Sequence, residues 1–181
     1  MPENQTFTVS LELIENYRFE VDFGDFGRLL TDEPAPLGES QGPNPGRLLA
    51  ASVANCLAAS LLFAVRKYKE EPGKVRAEVT GTMERVEGRQ RITHMQVRLT
   101  LGNAAANIPH IERVLAQFED FCVVTQSVRR GIEVGVEVVD MGVVKDEPKA
   151  LEAAFRQAAQ SADAIITSGG VSMGEADHTK T

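Results

Sequence analysis

Cysteine is scarce in this chain, with two in 181 residues, and that scarcity excludes a disulfide-stapled scaffold. The two stand 66 positions apart. That is the wrong spacing for a zinc knuckle, so no structural metal is expected. Positive charge is also short: 19 Lys and Arg face 26 Asp and Glu, for a formal net charge of −7. Such a balance gives a phosphate backbone no footprint, and no nucleic-acid partner is expected. The opening segment MPENQTFTVSLELIE lacks a basic start followed by an apolar run. It does not read as a secretory signal, and a cytoplasmic location is expected. The length suits one ordinary domain with an appendage.

What the chain does have is one strongly apolar stretch at 42–68, GPNPGRLLAASVANCLAASLLFAVRKY. Across 48–65 only Ser52, Asn55 and Ser60 carry hydrogen-bonding groups beyond a thiol, which predicts a helix buried on nearly every side. Proline just before the run suits a first helical turn. About 20 apolar residues can span a bilayer. Here, however, Ala50, Ala51, Ala54, Ala58, Ala59 and Ala64 dominate and polar residues interrupt. A core helix packed closely on another helix is the expectation, and no membrane partner.

The flanks read as strands. Phe7, Val9, Leu11 and Leu13 alternate with polar residues, as do Tyr17, Phe19, Val21 and Phe23, predicting a hairpin turning at Glu15 and Asn16. Leu29 and Leu30 suggest a short third strand, and the proline- and glycine-rich 31–46 a loop. A longer hairpin follows, with Val75, Ala77 and Val79 on one strand and Thr93, Met95, Val97, Leu99 and Leu101 on the other. Residues 108–121 predict an amphipathic helix with Ile111, Val114, Leu115 and Phe118 on one side, then a turn at 123–127 and a strand at 132–139. The class is α+β. Residues 141–181 change character, with a helix expected at 148–162, a short strand at 164–166, then a glycine-rich loop. Two units follow, 1–140 and 141–181.

A cysteine inside an apolar helix is most often a small hydrophobe. On an ideal helix Leu49, Cys56 and Phe63 share a stripe, with Ser52 and Ser60 beside it. Cys122 follows the second helix and could approach Cys56. Here a resemblance becomes specific. The run GPNPGRLLAASVANCLAASL, followed by FCVVTQSVRRGIEVGVEVVD, resembles the OsmC/Ohr family of osmotically inducible and organic-hydroperoxide-resistance thiol proteins, over about residues 5–140. The family places one cysteine in a central helix behind a G-x-N-P turn and another in a Cys-Pro-Val-Ser-like segment, and Cys56 and Cys122 fall on those positions.

The resemblance implies an intertwined homodimer, with antiparallel sheets wrapped around the long central helices. It implies an organic hydroperoxide substrate, Cys56 as the attacking thiolate, Cys122 as the resolving thiol, and an external dithiol reductant. No cofactor is implied. In the family an arginine oriented by a glutamate stabilises the thiolate. Peroxidase members carry that glutamate ten residues before the helical cysteine, where this chain has Gly46. Related members carry it one residue later, here Arg47, which an ideal helix turns about 180° from Cys56. Arg28, with Arg18 as its rival, is the expected thiolate partner. The second cysteine is followed by Val123 in place of the usual proline.

Residues 141–181 resemble a piece of the molybdopterin molybdenumtransferase (MoeA) family, with SGGVSMGEAD at 168–177 matching its cofactor-binding loop. Glycines after a strand let backbone N–H groups approach a phosphate. The piece lacks the other loops of that site and reads as a remnant appended to the first unit. His94, His110 and the KYKEE run at 67–71 read as solvent-facing. The expected function is thiol-dependent reduction of organic hydroperoxides in oxidative-stress defence. Its rivals are a non-catalytic dimer that binds a small ligand or senses oxidant, and a molybdopterin-related role through the tail.

Overall fold

The computed structural model describes residues 5–140 together with Lys149, Glu152, Ala153 and Arg156. Three short strands come first, β1 (Ser10–Glu15), β2 (Arg18–Asp22) and β3 (Arg28–Thr31), then the long helix α1 (Pro45–Lys67). The hairpin of β4 (Arg76–Val86) and β5 (Arg89–Leu101) follows, then α2 (Ile111–Leu115), α3 (Val123–Val128) and β6 (Glu133–Asp140).

α1 starts where the sequence places a cap. The Asn44 side chain accepts a hydrogen bond from the Arg47 N–H at 3.1 Å, and Pro45 occupies the first turn, where its missing N–H is no loss. Val53, Leu57, Leu61 and Val65 recur every fourth residue and are all fully buried. They meet Met95, Val97, Leu99 and Leu101, which alternate along β5 and are also buried. A 3.6-residue period thus packs on a two-residue period, and the core lies between α1 and the second sheet. By length and composition alone α1 could cross a membrane, with mean hydropathy 2.1; this fold gives its ridge a protein core to enter.

The opposite side of α1 differs from the expectation of burial all round. Ala51, Ser52, Asn55, Ala59 and Phe63 are exposed, because the second sheet packs on one face of α1 and the first sheet packs mainly on itself. The first sheet, in order β1-β2-β3 and antiparallel throughout, packs mainly on itself. Its alternating residues Leu11 and Leu13 are 61% and 54% exposed.

The second sheet has the order β4-β5-β6, and β6 runs parallel to β5. That corrects the expectation of purely antiparallel sheets. The chain leaves β5 at Leu101 and returns to β6 at Glu133 through α2 and α3, a crossover long enough to reverse direction, as a parallel neighbour requires. Thr93 is the extra residue of an irregularity in the long hairpin, where Thr82 faces His94 and Met83 faces Ile92. This brings Ile92 against the core in its place.

The single amphipathic helix expected at 108–121 is broken. α2 is five residues long, Gln117 departs from helical geometry at φ −138, and a 3-10 turn spans Phe118–Phe121. Val114 and Phe118 still share the buried side, while Leu115 is 37% exposed. Residues 123–128, expected as a turn, form α3. Beyond Asp140, the four described residues lie on the helix expected at 148–162, and Arg156 pairs with Glu152 at 2.7 Å. The strand at 164–166 and the loop at 168–177 lie outside the described residues.

Candidate active site

Cys56 is half-buried on α1 between Val53 and Leu57, both fully buried. The same helix packs on the 3-10 turn and on α3, and Cys122 stands at the corner between those two. Its N–H donates to the Glu119 carbonyl at 3.0 Å and its carbonyl accepts from the Gln126 N–H at 2.9 Å. A Glu119–Arg129 ion pair, with the Gln126 amide donating to the Glu119 carbonyl at 3.1 Å, ties the corner from outside. With its backbone pinned on both sides, the Cys122 side chain is fully buried, and Cys56 lies near enough to act on its thiol. Both thiols are free. Two cysteines distant in sequence are therefore neighbours in one chain.

The thiols differ in environment. Burial pushes the Cys122 thiol above its ordinary range, and the nearby Cys56 adds to that. Thr125 works the other way, through its hydroxyl and its backbone N–H. The Cys122 Sγ donates to Thr125 Oγ1 at 2.9 Å, and Thr125 is itself fully buried. A buried thiol held protonated is a poor first nucleophile. Cys56, half-buried on α1, is the less enclosed of the two thiols. An apolar rim flanks the corner: Phe63 and Phe121 pack edge to face at 6.0 Å, and Val123 is 75% exposed.

Arg28 stands apart from the thiols. It lies on β3 with its guanidinium 2.7 Å from Glu20 and 3.4 Å from Asp22. Arg18 pairs with Glu15 and reaches Glu39 at 4.0 Å. Arg47 is exposed on the first turn of an unbroken α1, so the half-turn separation from Cys56 stands. Gly46 has room: a Cβ there would meet Ile92 Cδ1 at 3.6 Å and Asn44 Oδ1 at 3.7 Å, ordinary contacts. Among the described residues no group of three or more His, Cys, Asp or Glu could hold a metal ion.

Two features escaped the sequence reading. Thr125 carried no signal beyond sitting three residues after Cys122, a spacing that one turn of helix converts into contact. His110 and Glu70, read as solvent-facing, join at 2.5 Å, and His110 stacks on Tyr68 with ring centroids 4.6 Å apart. That pair clasps the end of α1 to the start of α2. His94 is 3.5 Å from Glu133 across β5 and β6.

The family model described as OsmC-like protein matches residues 38–137, more than half of the chain and all of this site. The chain belongs to the OsmC-like family. Solved structures of similar fold include an osmotic stress induced and detoxification response protein from Psychrobacter arcticus, 18% identical with TM-score 0.65, covering 77% of this chain and 100% of that one. Another is an organic hydroperoxide resistance protein from Elizabethkingia anophelis, 18% identical with TM-score 0.62, covering 77% and 99%. A third, OhrB of Bacillus subtilis, is also named an organic hydroperoxide resistance protein, at 18% identity and TM-score 0.58 over 75% and 98%. These likenesses give the OsmC-like chain its fold. A second model, a probable molybdopterin binding domain, matches residues 124–181. The molybdopterin molybdenumtransferase of Haemophilus influenzae is 54% identical over 44 residues, 24% of this chain and 11% of that protein's length. The chain therefore spans about a tenth of that relative.

Proposed function

We propose that this OsmC-like protein reduces organic hydroperoxides in oxidative-stress defence, with Cys56 and Cys122 as its redox pair. The observation that carries the reading is the nearness of the half-buried Cys56 on α1 to the buried Cys122, which stands where the 3-10 turn and α3 pack on that helix. Cys56 thiolate attacks the O–O bond, an S–O bond forms, and the alkoxide leaves as alcohol after taking a proton; the thiol is oxidised to sulfenic acid. Cys122 thiolate then displaces hydroxide, which leaves as water, and a disulfide closes. An external dithiol supplies the two electrons that reopen it.

Two further parts belong to this reading. One is a second copy of the chain, supported by the uncovered face of α1 and by Leu11, Leu13 and Phe63, each more than half exposed. The other is a cation for the Cys56 thiolate. Arg28 is proposed for that role, and since its own sheet packs mainly on itself, dimer assembly must bring it there.

A Cys56→Ser protein, assayed with cumene-type hydroperoxide and a dithiol reductant, is expected to lose turnover. Equal turnover in variant and parent would sink the reading. A non-catalytic reading as a ligand- or oxidant-binding dimer draws on Gly46 standing where peroxidase members carry their glutamate. Stoichiometric oxidation of the thiols without a cycle would favour it. A molybdopterin-related role draws on the second family match, and undetectable molybdopterin binding by the full chain would remove it.

A further inference from the structure

Of the buried polar groups, the redox reading leaves the one beside Cys122 without a task. Thr125 is fully enclosed, and a buried hydroxyl needs a partner. The contact found for its Oγ1 is the Cys122 thiol at 2.9 Å. Thr125 belongs to the first turn of α3, and Cys122 is the residue just before that helix. The i to i+3 spacing therefore sets hydroxyl and sulfur on the same side of the corner, and Cys56 is near enough to act on the sulfur as well. A valine would fill nearly the same space without the hydroxyl. The hydroxyl has chemistry to offer that packing does not explain.

We propose that Thr125 is a positioning residue for the resolving step: it holds Cys122 Sγ toward Cys56 and turns its hydroxyl hydrogen onto the sulfur when the thiolate forms. This rests on the redox reading above. In the resting state the thiol donates to Oγ1. When Cys122 loses its proton, the direction reverses and the hydroxyl donates to the anion, a charge-assisted bond inside an otherwise apolar enclosure. The thiolate then attacks Cys56 sulfenic acid: the S–S bond forms, the S–O bond breaks, and hydroxide leaves as water with a proton from the surroundings. In the reverse direction a dithiol attacks Cys56, and Cys122 departs as the thiolate, again facing Thr125. Burial and Cys56 oppose that anion, and the Thr125 hydroxyl and N–H favour it.

The test uses Thr125→Val and Thr125→Ser in the full chain, each also in a Cys56→Ser background, where Cys122 is the one remaining cysteine. In that background, thiolate absorbance near 240 nm is followed against pH, with a variant lacking both cysteines as baseline. The valine variant is expected to ionise at higher pH than Thr125, and serine to restore the parent value. With Cys56 present, single-turnover oxidation is followed by trapping sulfenic acid and by timing disulfide closure. Sulfenic acid should form at the parent rate, while closure slows by about threefold to tenfold in the valine variant and recovers with serine. Unchanged titration and closure in a folded valine variant would overturn the proposal, as would a serine variant that fails to rescue. Absence of any sulfenic acid in the parent defeats the redox reading instead, and the titration still judges Thr125. Should valine prevent folding, Thr125→Ala carries the same two measurements.

Discussion

At Gly46 this chain lacks the carboxylate side chain of the peroxidase pattern that its sequence resembles. The backbone there is helical and its surroundings are open, with Ile92 and Asn44 at ordinary contact distance from a Cβ. A carboxylate at that place also sits in the first turn of α1, which holds no acidic residue. Gly46→Glu is therefore expected to stabilise the fold by about 1 kcal/mol, from helix propensity and the helix dipole together, read as a rise of about 3 °C in Tm. On the redox reading it also raises hydroperoxide turnover. A lowered Tm would contradict the open geometry at this turn. Cys122 gives a pH dependence with a definite sign. Its folded-state pKa is raised by burial, so the folded chain keeps a proton that the unfolded chain gives up above about pH 8.5. Its contribution to stability is whole below that pH and declines as pH rises further. Cys122→Ala is expected to flatten the alkaline limb of a stability-against-pH curve measured by denaturant unfolding. A limb equally steep in the variant would mean that other groups cause it.

Elements were legible where period and punctuation agreed. The cap at Asn44, the proline at Pro45 and the four-residue recurrence of Val53, Leu57, Leu61 and Val65 make α1 readable from the chain alone, and the alternation from Met95 to Leu101 does the same for β5. Ile111, Val114, Leu115 and Phe118 misled because their spacing fits one long helix equally well. What breaks it is tertiary: Phe118 and Cys122 both enter the core, and Gln117 gives way just before them. The direction of β6 was hidden for a similar reason, since valines alternate alike in parallel and antiparallel strands. Of the site, family resemblance singled out Cys56 and Cys122, which both lie where α1 packs on the 3-10 turn and α3. Thr125 became visible only when α3 folded it back onto the sulfur. β6 also carries the element-scale prediction. The two family matches overlap on residues 124–137, and Val134 is buried in the core beside Met95. A chain ending at residue 140 is expected to keep the Tm of the full chain, and one ending at 132 to lose cooperative unfolding, because Met95, Val97 and Leu99 lose a neighbouring strand. Cooperative melting of the shorter chain would show that β6 is dispensable.

Among the described residues, apolar surface is exposed on α1 and around the first sheet. Phe63 is 59% exposed on α1, Phe7 91% before β1, and Phe26 94% between β2 and β3. A second copy is the proposed cover, and light scattering is expected to give twice the chain mass. Phe63→Glu should shift that mass toward the monomer, whereas a parent that stays monomeric at every concentration would remove the dimer from the proposal. The parallel pairing of β6 with β5 has a mechanical consequence. A pull applied beyond Asp140 acts along β6, from the end at which the chain leaves the sheet, while the core holds β5 in place. The eight register pairs from His94–Glu133 to Leu101–Asp140 are then loaded in shear, together rather than one after another. An unfolding machine that grips the C-terminal side must break that clamp before it can reach Cys122, so the strand on which two families overlap is also where the thiol site resists being drawn apart.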